Sequence, residues 1–243
     1  MVSIKKTVNK LTLDEKISLL TGFNSWYSNK IPRLKIPSMK MSDGPNGVRG
    51  DSTSGKSSAC FPCPISLGST WNKELINKIG IALGQEALDK DVDVLLGPTI
   101  NLHRHPLGGR HFENFSEDPV LTGEIAVAYV KGVQSKKVSA CLKHFVANDT
   151  EFERHTVSSN LDERTLREIY LLPFEMGVKK AKAKSVMSAY NKLNNIYCSS
   201  NKDLLIDILK KEWGFDGYVV SDWGAALETV DNATGGLDME MPG

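Results

Sequence analysis

Asp222 follows the apolar run Gly217-Tyr218-Val219-Val220-Ser221 and precedes Trp223-Gly224, so the sequence carries a carboxylate at the C-terminal end of an expected strand. Such an Asp more often caps the next helix than catalyses anything; its weight depends on whether other strands end in equally capable groups, since a barrel enzyme keeps its chemistry at that end. Other apolar runs do end that way. Asp43 follows residues 35–41; Asn101, His103 and Arg104 follow residues 92–96, with Arg110 in the loop; Lys143-His144 follows residues 138–142; and Tyr190-Asn191 follows residues 185–189. Gathered at one mouth, these groups suit a polyhydroxylated ligand, because charged side chains bind vicinal hydroxyls in pairs and an indole covers an apolar ring face. Each also has a plainer use: Asp43 and Asn46 as turn residues, Arg110 and Arg154 as partners of Glu113 and Glu151, His144 as a satisfied core histidine. Lys143 on a barrel strand could also form a Schiff base.

Convergence requires parallel strands. Thr12-x-x-Glu15 is a capping box and Leu13, Ile17 and Leu20 share a face, predicting an N-terminal helix stopped by Gly22. Leu75, Ile79 and Leu83 predict a helix over 72–90; Asp118-Pro119 opens another; residues 162–182 read as a helix interrupted at Pro173; Asn201 caps a helix to 211; and a strand begins at 237–240. Residues 51–58 are small and polar and read as an exposed loop. Strand and helix alternate with near-continuous apolar strands, which implies right-handed crossovers and a sheet covered on both faces. The expected fold class is α/β, a TIM-type (β/α) barrel. A doubly wound open sheet ranks second, since no Gly-x-Gly-x-x-Gly follows the first strand.

Composition narrows the partners. Of 243 residues, 40% are hydrophobic and 24% charged, and 30 Lys plus Arg balance 29 Asp plus Glu to a net +1. That describes one ordinary globular domain with no field for nucleic acid or an anionic membrane. Residues 1–10 lack an apolar signal core and no later run approaches a membrane span, so a cytoplasmic location is expected. Sequons at Asn114, Asn148 and Asn232 then read as chance. Cys60 and Cys63 have knuckle spacing without a second close pair, so the four cysteines, with Cys141 and Cys198, read as reduced thiols and no zinc is expected.

Longer motifs add a resemblance. Met41-Ser-Asp-Gly-Pro-Asn-Gly-Val-Arg49, Phe61-Pro62, Gly97-Pro-Thr-Ile-Asn-Leu-His-Arg-His-Pro-Leu-Gly-Gly-Arg110, Phe112-Glu-Asn-Phe-Ser-Glu-Asp-Pro119, Lys143-His-Phe145, Met187-Ser-Ala-Tyr-Asn191 and Val220-Ser-Asp-Trp-Gly224 occur in order. From about Leu11 to Gly243 the chain resembles glycoside hydrolase family 3, the β-glucosidase branch of these retaining glycosidases, and its wording is similar to the intracellular fungal members. The resemblance implies that Asp222 is the nucleophile of a covalent glycosyl-enzyme. It implies that Asp43, Arg110, Lys143, His144 and Arg154 hold the hydroxyls of a nonreducing glucose, with Tyr190 close to the nucleophile and Trp223 and Met187 lining the site. Neighbouring cations are expected to keep the Asp222 pKa low. The stretch Lys143-His-Phe-Val-Ala-Asn-Asp-Thr150 departs from the Lys-His-Phe-Pro-Gly-His loop of members acting on N-acetylglucosaminides, which favours a glucosidase-type site. Asn194-Asn195 stands where the family commonly has Asn-Gly. The two-carboxylate mechanism calls for no metal or organic cofactor.

That mechanism needs two carboxyl groups roughly 5 Å apart, and the sequence offers one with conviction. In the resembled enzymes the acid/base glutamate comes from a C-terminal α/β sandwich domain, so residues 1–243 are expected to form a partial barrel domain, incomplete at the C-terminus, with about six of about eight strands and an open parallel edge. The resemblance implies β-glucosides as substrates and that C-terminal domain as a separate partner. A noncatalytic sugar-binding or complementing module is the alternative.

Overall fold

The computed structural model describes residues 4–50 and 56–243, so most of the loop expected at 51–58 lies outside the described residues. Five short strands form one all-parallel sheet in chain order: β1 (Met41–Ser42), β2 (Val94–Leu95), β3 (Ser139–Phe145), β4 (Ser185–Ser188) and β5 (Tyr218–Ser221). Alternation along these strands separates two cores. Met41, Val94, Leu96, Cys141, Met187 and Val220 point inward, joined by Met239 and Met241. Leu95, Ala140, Leu142, Val186 and Val219 point outward, against helices Lys73–Asp89, Pro119–Gln134, Leu172–Ala181 and Asp203–Glu212. A sheet buried on both faces explains the continuous apolar runs.

The helices begin where the sequence predicts. Thr12 makes a complete capping box, and Asn72, Asp118, Asp162 and Asn201 each accept from a backbone N–H of the first turn. The segment 162–182 is broken, with a π-helical stretch at Leu166–Tyr170 and a new α-helix at Leu172–Ala181 that carries Pro173 in its first turn. The N-terminal helix differs from expectation. It ends at Ser18, Gly22 lies in a β-bridge to Ser28, and Leu13, Ile17 and Leu20 remain exposed.

Among the described residues the expected open edge is not seen. Met239 forms a parallel bridge with Val220 of β5, and Glu240 next to it bridges Thr21. Gly22 pairs antiparallel with Ser28, and Tyr27 antiparallel with Lys40, directly before β1. Backbone bonds from Gly22 N to Glu240 O (3.0 Å) and from Met41 N to Trp26 O (2.8 Å) complete the circuit. An N-terminal hairpin thus bonds both edges of the curled sheet, satisfying groups that would otherwise template association. The sequence concealed this because residues 20–28 show no strand periodicity. Among the described residues no helix is long and apolar enough to cross a membrane.

Candidate active site

The carboxylate of Asp222 leaves the end of β5 buried at the sheet's C-terminal mouth. Its backbone N–H donates to Ser188 O (3.1 Å), continuing the pairing with β4, and its Oδ1 accepts from Trp223 N (2.8 Å). Oδ2 is shielded and accepts no hydrogen bond from the described residues. Burial raises its pKa, opposed by Lys143, the Trp223 N–H, Arg110 and Tyr190. The expectation of a lowered pKa is therefore corrected: desolvation of the anion outweighs the nearby cations.

Lys143 and His144 reach the same mouth from adjacent positions on β3, which strict alternation forbids. The register with β4 shifts between Leu142 and Phe145, and this irregularity re-aims the strand. Lys143 and His144 turn to the site while Phe145 stays in the outer core. Lys143 Nζ lies 3.6 Å from Asp43 Oδ1, and His144 Nε2 lies 3.6 Å from Asp222 Oδ2. Asp43 is set by the turn after β1, where Gly44 has φ +119° and an added Cβ would fall 1.8 Å from Gly47 O; only glycine tolerates this.

Arg110 and Arg154 do pair with Glu113 and Glu151, as their plainer reading has it, the second pair at 2.6 Å. Both remain half-buried, and their charge is felt at His144. Arg154 also sits 4.5 Å from the Tyr190 ring centroid. The Tyr190 hydroxyl donates to Trp223 O (2.9 Å), and burial first, then Asp222, pushes it up to about 12. Met187 faces the inner core beneath Asp222. Trp223 donates through Nε1 to Ser25 O (2.8 Å), and its ring lies 5.5 Å from that of Trp26. Asp43, Arg110, Lys143, His144, Arg154, Tyr190 and Trp223 thus gather about Asp222, whereas His103 bonds the His111 and Asn114 carbonyls and Arg104 lies over the Tyr170 ring. Trp26 escaped prediction, and Asn101 was expected at the mouth only as a strand end, without its partner; a tryptophan in an irregular stretch, needing cover for its ring, was the available signal for Trp26.

Asn114, Asn148 and Asn232 of the sequons are all buried. The four cysteines are unpaired; Cys141 and Cys198 are buried, and burial pushes both thiols up to about 12. Among the described residues no group of three or more His, Cys, Asp or Glu side chains could hold a metal ion.

A curled parallel sheet with its charged groups at the C-terminal mouth is the arrangement of barrel-type α/β enzyme domains. The chain belongs to the family described as glycosyl hydrolase family 3 N terminal domain, which it matches over residues 11–239. It is 55% identical over 242 residues to a β-glucosidase of Rhizobium radiobacter, covering 99% of this chain and 30% of that protein. It is 52% identical to a probable β-glucosidase I of Emericella nidulans, covering 29% of its length. The crystal structure of a β-glucosidase from Kluyveromyces marxianus in complex with glucose superposes with a TM-score of 0.98 at 46% identity, over all of this chain and 29% of that one. The chain thus spans under a third of the length of these relatives.

Proposed function

We propose that this chain supplies the nucleophile and the glucose-binding half of a retaining β-glucosidase. The observation that carries the reading is the Asp222 environment: a buried carboxylate with one unengaged oxygen, ringed by Lys143, His144, Arg110 and Tyr190. In this mechanism the carboxylate attacks the anomeric carbon, the glycosidic oxygen leaves with a proton from the acid/base, and water then hydrolyses the glycosyl ester. Asp43, Lys143, His144, Arg110 and Arg154 would hold the sugar hydroxyls, with Trp223 against the apolar ring face and Met187 beneath it.

The acid/base belongs to a further domain. Supporting this, the mouth carboxylates Asp43, Glu113 and Glu151 each already face a cation, namely Lys143, Arg110 and Arg154. The partial match to the relatives' length agrees with it.

The test uses a 2-deoxy-2-fluoro-β-glucoside whose leaving group departs without acid assistance. Attack by Asp222 forms the ester, the C1–O bond breaks, and the aryloxide carries off the electron pair. Intact mass should show one adduct, mapped to Asp222 and absent in Asp222→Asn. A folded protein that never gains the adduct, or gains it elsewhere, would refute the assignment.

A further inference from the structure

Asn101 is buried, and its carboxamide is committed to His144. Nδ2 donates to the His144 carbonyl at 2.9 Å, and Oδ1 accepts from the His144 backbone N–H at 2.9 Å. These backbone contacts decide which end of the amide is which, since the flipped amide would set donor against donor and acceptor against acceptor. The same Oδ1 lies 3.1 Å from His144 Nδ1. An amide oxygen only accepts, so Nδ1 carries the proton.

In a neutral imidazole protonated at Nδ1, Nε2 is a bare lone pair. The ring is neutral because burial, then Arg110, Lys143 and Arg154, hold its pKa well below the ordinary value. The bare Nε2 faces Asp222 Oδ2 at 3.6 Å. The other tautomer would aim an N–H at that oxygen, and a charge-assisted hydrogen bond would occupy the electron pair needed for attack.

We propose that Asn101 is a positioning residue that selects the Nδ1–H tautomer of His144, denying Asp222 a hydrogen bond from the imidazole and leaving its carboxylate free to react. The purpose rests on the reading of Asp222 as nucleophile; the tautomer does not. A ligand hydroxyl reaching His144 must then donate, whereas one meeting Lys143 or Arg110 must accept. The mouth gains a donor and acceptor sense that charge alone does not give it.

Long-range proton–nitrogen spectra of the full chain distinguish protonated from bare imidazole nitrogens, and His144→Gln assigns the signal among the five histidines. Wild type should show His144 protonated at Nδ1 and bare at Nε2. Asn101→Ala should move the ring toward the Nε2–H form and slow fluoroglucoside trapping about tenfold or more, equivalent to at least ~1.4 kcal/mol in the barrier. Asn101→Asp, which keeps an acceptor at Nδ1 but loses the donor to the His144 carbonyl, should keep the proton on Nδ1 while its trapping rate stays below wild type. A wild-type ring protonated at Nε2, or an Asn101→Ala ring unchanged in tautomer, would overturn the proposal. If Asn101→Ala does not fold, the wild-type and Asn101→Asp spectra still decide. A wild-type chain with the Nδ1–H ring that is never trapped would sink the nucleophile reading and the protective purpose together, while the tautomer would stand.

Discussion

Burial raises the pKa of two aspartates, Asp222 and Asp149. As the proposed nucleophile Asp222 would react only as the anion, and its pKa is raised by burial, so the acid limb of fluoroglucoside trapping should lie above the ~4 of an unperturbed aspartate. The inactivation rate followed from pH 4 upward should climb through that raised value; a limb already complete at pH 4 would show that the cations win. Asp149 accepts from Leu102 N (3.2 Å), and burial pushes it up to about 6. Unfolded, it ionises near the ~3.9 of an unperturbed aspartate, so between the two values the fold holds a proton that the unfolded chain releases. This contribution to stability is complete below the lower value and lost as pH rises through the higher one. Asp149→Asn cannot ionise there, so its melting temperature relative to wild type should rise between pH 4 and 7. A relative fall would mean that pairing with Arg104 outweighs desolvation.

Among the elements, helices Lys73–Asp89 and Pro119–Gln134 meet through glycine. A Cβ on Gly132 would stand 2.4 Å from Asn77 O and 2.8 Å from Gly80 Cα, both backbone atoms that cannot swing away. Gly132→Ala should therefore destabilise by about 1–3 kcal/mol, read as a lowered urea midpoint, with helix content kept. Elements of this kind were legible in the sequence because caps and periodicity are local: Thr12, Asn72, Asp118 and Asn201 announced their helices correctly. Leu13, Ile17 and Leu20 mislead because periodicity shows which face is apolar but not what covers it. The site residues were legible as strand ends and motifs. The placing of Lys143 and His144 side by side was not, since it depends on an irregular register with β4. The hydrogen bonds of Asn101 were equally hidden, because its partner lies 43 residues away.

For the whole molecule, the inner core and the mouth share a wall. Trp26 packs against the inward methionines and against Trp223, whose indole N–H is held by Ser25. Trp26→Ala should cost about 2 kcal/mol in unfolding free energy and also slow trapping at Asp222, although Trp26 lies outside the cluster of charged groups. Measuring both on one preparation separates the effects. Lowered stability with full trapping would make the hairpin a structural seal with no part in setting Trp223.

That seal has a consequence for how the chain is made. Thr21 meets Glu240, and Ser25 meets Trp223 across 198 residues. The entropy lost in closing a loop grows with its length, and contacts so distant in sequence join late. Until a ribosome has added residues 239–240, the hairpin has nothing to bond at its far side, and Met41 and Met187 lie in an unclosed trough. The wall beside Asp222 therefore assembles only after residue 240 has been made, and a chain paused near residue 220 would present its apolar interior to chaperones before it had a site to protect.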